Sequence, residues 1–312
     1  PPRRSHDAIE KRHEDLSAAL QAALEKAALH MSRHLHKVTG SKNICIAGGV
    51  GLNSVMNGVI LKDGLFQNIF IQPASGDNGT GLGAAFEIWH ETLGNPRGFV
   101  MTDAYTGPSY TEAEMEEALR KFNQAYTRPA DIAKECALLL ADGKILGWFQ
   151  GRLEFGPRAL GNRSILVDPR RAEMKDILNH RVKHREPFRP FAPAILEERC
   201  GEYFDSAHPS PFMLLVYNVK PEKRSVIPAI THVDGTGRVQ TVSRSQNPIY
   251  HRLIEAFDRI TGVPVVLNTS FNDKGEPIVC TPGDALSFFV KSEIDFLAMG
   301  PFLVKNPATA NA

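Results

Sequence analysis

Cysteine is scarce in this chain: four in 312 residues, at Cys45, Cys136, Cys200 and Cys280, with no Cys-x-x-Cys pair. That excludes a disulfide-built scaffold and a cysteine zinc cluster, and it reads as thiols kept reduced in the cytoplasm. No apolar run approaches the roughly 20 residues that a membrane helix needs, so no membrane partner is expected. A surplus of charge is also missing. Lys and Arg number 36 against 35 Asp and Glu, a net +1, which leaves little bulk attraction for nucleic acid or an anionic lipid surface. There is no Walker A loop, no Gly-x-Gly-x-x-Gly turn and no serine nucleophile elbow. GTGLG at residues 79–83 has the wrong spacing for a dinucleotide loop. Internal repeats and low-complexity tracts are absent. The length suffices for two domains with separate cores, and the composition is that of a globular protein.

What is present is α/β grammar. Apolar residues at helical spacing (Ile9, Leu16, Leu20, Leu24, Met31, Leu35) predict a long helix over residues 8–37, ended by Thr39-Gly40. Two short buried strands follow, at residues 43–47 and 68–72, each running into a glycine-rich turn and a helix. In such sheets ligands sit at the carboxyl ends of the strands. A connector over residues 94–108 marks a domain boundary, giving units of residues 1–106 and 107–312. The second unit reads as mixed α/β. Helices are expected at 111–122, 131–141, 172–182, 250–261 and 282–291, and strands at 145–149, 164–167, 211–219 and 263–267.

The densest chemistry lies in GRLEFGPRALGNRS, residues 151–164, which holds Arg152, Arg158 and Arg163 with three glycines and a proline. Guanidiniums are permanently charged forks suited to phosphate or carboxylate oxygens, and glycine lets backbone approach a ligand closely. Between Arg152 and Arg189 there are ten Lys/Arg against five Asp/Glu, a local excess that suits a small anion. A second cationic segment, residues 183–193, carries Lys183, Arg185 and Arg189 among three prolines that are expected to hold it extended, as an oxyanion clamp or as arginines knitting two loops. Past the strand at 263–267, Asn268, Ser270 and Asn272 offer short polar groups, for a carbamoyl or phosphate ligand or for a local turn. Gly48, Gly49 and Asn53 in one turn and Gly76 and Asp77 in another are phosphate-binding candidates or plain tight turns. Asp77 reads as a metal ligand or as a cap, with the cap favoured. His30 and His34 share a helix face without an acidic partner and read as a packed or solvated pair. The loop at residues 232–238 is a polar turn or a site.

These segments together resemble the NodU/CmcH family of O-carbamoyltransferases: residues 47–53, 76–80, 147–170, 182–193, 227–242 and 262–282. The resemblance implies that residues 1–106 are the C-terminal part of an actin-like (ASKHA) α/β domain, and residues 107–312 a YrdC-like mixed α/β domain. It further implies that the YrdC-like domain makes carbamoyl-adenylate from carbamoyl phosphate and ATP, and that the actin-like domain passes the carbamoyl group to the hydroxyl of a small-molecule acceptor. A divalent metal, iron, aids the transfer, and Mg accompanies ATP. On this basis Arg158, Arg163, Lys183, Arg185 and Arg189 carry the phosphate and carbamoyl chemistry. Arg152, Asn162, Asn268, Ser270 and Asn272 contact substrate, Gly48, Gly49, Asn53 and Gly76 the nucleotide, and Asp77 the metal.

One departure is large. The family's His-x-x-x-His metal segment lies in a half of the actin-like domain that this sequence lacks. The expectation is therefore a fragment or split subunit, with a separate chain supplying the rest. A nucleotide- or carbamoyl-phosphate-binding accessory without turnover, and a YrdC-like adenylate synthase acting towards tRNA, are the alternatives.

Overall fold

The computed structural model describes residues 3–4, 7–186 and 188–309. Helix α1 (Lys11–Thr39) ends at Gly40 in the left-handed region, φ 63°, the C-terminal signal that the sequence carries. Strand β1 (Asn43–Ile46), helix α2 (Ser54–Lys62) and strand β2 (Asn68–Ile71) form a βαβ unit with a two-stranded parallel sheet. Its core is Ile44, Met56, Ile60 and Phe66, with Leu24 and Ala28 of α1 laid against it. Helix α3 (Thr80–Glu87) closes this lobe.

The second lobe runs α4 (Glu112–Lys121), β3 (Tyr126–Thr127), α5 (Ile132–Ala141), β4 (Leu146–Phe149), β5 (Arg163–Val167), α6 (Met174–Leu178), β6 (Ala192–Leu196), α7 (Cys200–Tyr203), β7 (Leu215–Asn218), β8 (Thr236–Val242), α8 (Pro248–Thr261), β9 (Val265–Ser270), α9 (Pro282–Phe289), β10 (Phe296–Met299) and β11 (Phe302–Lys305). Its nine strands make one mixed sheet, ordered β3-β11-β10-β4-β5-β9-β6-β8-β7. Helix α4 begins with the reciprocal Thr111–Glu114 capping box that its sequence spells. Strands β4, β5 and β6 are buried at every residue, which is why they read as unbroken apolar runs. Helices α5 and α8 pack on each other, α5 reaching β4 and α8 reaching β6 and β9. The mixed α/β class is as expected.

Two local expectations need correction. Residues 268–270 do not lie past a strand end. β9 continues through Ser270 because β5 and β6 flank it, pairing Ser270 with Ser164 and Asn268 with Ala192. Lys183 does not sit in extended backbone: it closes a wide π-type turn (Asn179–Lys183), and His184 then takes a left-handed φ of 44°. Pro187, one of the prolines expected to hold that segment, lies outside the described residues. The apolar stripe of α1 lies open, with Leu16, Leu20, Met31 and Leu35 exposed.

The two lobes are docked. α2 lies on β7 so closely that a Cβ on Gly58 would stand 2.7 Å from the Val216 carbonyl oxygen. Beside it the buried Asn57 amide donates to the Gly51 carbonyl at 2.8 Å and to the Leu214 carbonyl, across the lobes, at 3.0 Å.

Candidate active site

Strand register assembles the site. Asn268 of β9 faces Ala192 of β6, and Ala194 of β6 faces Gln240 of β8. Residues two apart on a strand share a face, so Arg238, Gln240, Ala192, Ala194, Asn268 and Ser270 all look the same way. The two alanines leave space between their larger neighbours. The arginine-rich loop after β4 closes over that space. Glu154 shapes the loop: its Oε1 accepts from the backbone N–H groups of Leu160 (2.7 Å), Asn162 (2.8 Å) and Arg163 (3.3 Å). Burial pushes its carboxyl pKa up.

The result is a cavity of about 110 Å³ lined by Arg158, Arg185, Arg238, Asn268, Thr269 and Ser270, with Pro157, Ala159, Pro190, Phe191, Ala192 and Met213. No carboxylate is in that lining. Arg185 stacks over Phe191 at 4.5 Å and donates to Asn179 Oδ1 at 2.8 Å. Arg158 and Arg238 differ: among the described residues nothing accepts from their buried Nε atoms. Burial lowers the pKa of Arg158. Burial, with Arg158 and Arg185 nearby, pushes that of Arg238 down to about 9. Glu186, outside the lining, offsets part of the charge near Arg185, but three guanidiniums around one hollow still repel one another, and an anion bound among them relieves that cost.

Lys183 stands behind the cavity. Its ammonium donates to the carbonyls of Ser270 and Asn272 (2.5 and 3.1 Å) and to Asn272 Oδ1 (2.7 Å). Ser270 Oγ in turn donates to Asn272 Oδ1 at 2.6 Å. Burial, then Arg185, pushes the lysine pKa down to about 7. The oxygen shell opposes that push, since a neutral amine has only two N–H groups to offer. Lys183 therefore fixes the end of β9.

The structure thus brings Arg158, Arg185, Asn268 and Ser270 together, with Lys183 and Asn272 supporting them. It does not bring in the others. Arg163 is wholly buried elsewhere, 3.6 Å over the Phe149 ring, and donates to the carbonyls of Gln150 and Asn162. Arg152 ties the loop to the carbonyls of Thr106 and Gly107. Asn162 bonds the Arg152 carbonyl and the Asn247 amide. Arg189 is exposed on Glu186. Sequence reading missed Arg238, hidden in a segment taken as a polar loop. The alternation Gly237-Arg238-Val239-Gln240-Thr241-Val242 was the signal that could have shown a strand with an inward arginine.

The first lobe's turns meet this loop from the other side. Gly156, at φ 132°, lies so near Pro73 that an added Cβ would stand 2.7 Å from its carbonyl oxygen, a place and a backbone angle that only glycine takes without strain. Gly48 N–H donates to the Ser75 carbonyl at 2.9 Å, joining the turns that hold Gly48-Gly49 and Gly76-Asp77. Asn53 caps α2 through Met56 N–H and bonds Gln21 of α1. Asp77 is exposed in a short helical turn after Gly76. Among the described residues no three metal-ligating side chains gather, at Asp77 or elsewhere, so these residues do not by themselves fit a bound metal. His30 and His34 are exposed on α1. No helix of the described residues is long and apolar enough to cross a membrane.

A family model described as carbamoyltransferase C-terminus matches residues 137–306, and one described as carbamoyltransferase N-terminus matches residues 3–86. The chain is 48% identical to nodulation protein NolO of Bradyrhizobium diazoefficiens, over 96% of this chain and 56% of that protein. It is 43% identical to the uncharacterized protein sll1178 of Synechocystis, over 98% and 55%, and 37% identical to nodulation protein U of Rhizobium tropici, over 85% and 45%. The chain thus spans about half the length of the curated relatives it matches. A full-length HypF crystal structure in a phosphate- and nucleotide-bound form overlaps 72% of this chain and 34% of its own, at 17% identity and a TM-score of 0.37, too distant to bear on the site.

Proposed function

The chain belongs to the carbamoyltransferase family, and from that premise we propose that its second lobe activates a carbamoyl donor on ATP for transfer to an acceptor hydroxyl. One observation carries the reading: Arg158, Arg185 and Arg238 converge on one hollow with no carboxylate in its lining. Carbamoyl phosphate is the anion that suits it. Water cleaves the donor between the carbamoyl group and phosphate, leaving carbamate and inorganic phosphate. A carbamate oxygen then bonds to the α-phosphorus of ATP as the bond to the β-phosphate breaks and pyrophosphate leaves. Fixed guanidiniums favour these steps because charge grows on the departing phosphate where they already point. In the second stage the acceptor oxygen attacks the carbamoyl carbon, AMP leaves, and the hydroxyl proton goes to solvent or a base.

We assign residues 107–312 to the YrdC-like activating domain and residues 1–106 to part of an actin-like transfer domain. The contact between Gly156 and Pro73 supports passage of the intermediate between them. The rest of the transfer domain, in the same or a separate chain, would cover α1 and the outer edge of β1. An apolar groove of about 470 Å³, lined by Leu24, Met31, Leu35, Ile44, Val50 and Met56 among others, runs beneath that helix. Acceptor choice and metal binding fall to that other half in this reading. Four free cysteines are in keeping with a cytoplasmic setting.

The test is carbamoyl-phosphate-dependent exchange of labelled pyrophosphate into ATP by this chain. Exchange is expected, and Arg158→Ala or Arg238→Ala should lower it by about 100-fold or more. ATP binding without exchange would favour the accessory alternative instead.

A further inference from the structure

The cavity holds one feature that phosphate binding leaves unused. Asn268 is 1% exposed, and its Nδ2 donates to the Ala159 carbonyl at 3.2 Å and to Gln240 Oε1 at 2.9 Å. Gln240 is itself oriented, because its Nε2 donates to the Leu160 carbonyl at 2.7 Å. Turning either amide over would set oxygen against oxygen. The order of donors and acceptors therefore runs one way, from the Leu160 backbone through Gln240 to Asn268. It ends on Asn268 Oδ1, a buried acceptor that no donor among the described residues reaches.

A buried carbonyl oxygen without a donor costs free energy, and an occupant that brings an N–H recovers it. The charged groups in the lining are all donors: Arg158, Arg185 and Arg238. An occupant that satisfies the whole hollow thus has anionic oxygens at one end and an N–H at the other. Inorganic phosphate meets the first condition and brings a P–OH, but it has no group that reaches beyond the phosphate to offer an N–H. Acetyl phosphate puts a methyl group where the second is needed. Carbamoyl phosphate meets both.

We propose that Asn268 is the residue that selects an amino-bearing acyl phosphate over its methyl counterpart, with Gln240 as the positioning residue that keeps the Asn268 oxygen turned inward. This rests on the reading of the cavity as the donor site and adds to it a basis for discrimination. The selectivity comes from leaving a buried polar group unpaired with the wrong ligand, which is a stronger filter than pocket size alone.

Calorimetric titration of the chain with three probes tests it: inorganic phosphate, acetyl phosphate and carbamoyl phosphate. The wild type should bind carbamoyl phosphate roughly tenfold to a hundredfold more tightly than acetyl phosphate. Asn268→Leu should bring that ratio close to one while inorganic phosphate binding stays within about threefold. Gln240→Leu, which leaves Asn268 in place but free to turn, should lower the ratio without touching phosphate, and it serves as the test should Asn268→Leu not fold. A wild-type ratio near one overturns the proposal, as does an equal loss of all three probes in both variants. If none of the probes binds the wild type, the donor-site reading itself falls and this inference with it.

Discussion

Arg158, in the loop after β4, and Arg163, at the start of β5, lie five residues apart and do different work. Arg163 lies over Phe149 and gives its N–H groups to backbone carbonyls, so removing it leaves buried acceptors unpaired. Arg158 has no such ties and stands near two like charges. Arg163→Ala is expected to cost at least about 2 kcal/mol of stability and to lower exchange only through misfolding. Arg158→Ala should keep or raise the melting temperature and lose the stabilisation that added phosphate gives the wild type. Thermal denaturation with and without phosphate separates the two; a fall in melting temperature for Arg158→Ala would show that its positive charge is already balanced. Residue type in the sequence marked both arginines as anion binders. Only the direction of each side chain divides them, and direction follows from the strand and loop that carry it.

At the level of elements, β9 explains why the polar run at residues 268–270 is held rigidly. A central strand bonded on both edges holds its side chains more firmly than a loop does. The sequence alone put these residues past a strand end and left a turn open, because asparagine, threonine and serine are frequent in turns; the pairing with β5 and β6 carries the strand through them instead. The docking of α2 on β7 rests on a missing side chain at Gly58. Gly58→Ala would push a methyl group against the Val216 carbonyl and should destabilise the contact by about 1–3 kcal/mol. Hydrogen exchange should show faster opening in α2 and β7, with β4 and β5 unchanged. Equal protection in both proteins would mean that the helix can shift at little cost.

For the whole molecule, the exposed face of α1 is the feature left without a covering. Leu16, Leu20 and Met31 are each about 70% exposed, enough aligned apolar surface to drive association. Leu20→Glu with Met31→Glu should keep the chain monomeric to higher concentration than the wild type in sedimentation velocity. Unchanged association would place the sticky surface elsewhere. The periodicity of α1 did show a helix with an apolar stripe, but periodicity cannot say whether a stripe is covered. The sequence by itself determined the α/β class, the long first helix with its glycine stop, the capping box of α4 and the cluster of cationic residues, because each depends on neighbours a few positions apart. The tertiary structure alone decided that Arg238 joins Arg158 and Arg185, that Arg163 does not, and that Asn268 lines the same hollow. Those facts depend on strands distant in sequence lying in register, and no local pattern encodes which distant residue arrives opposite.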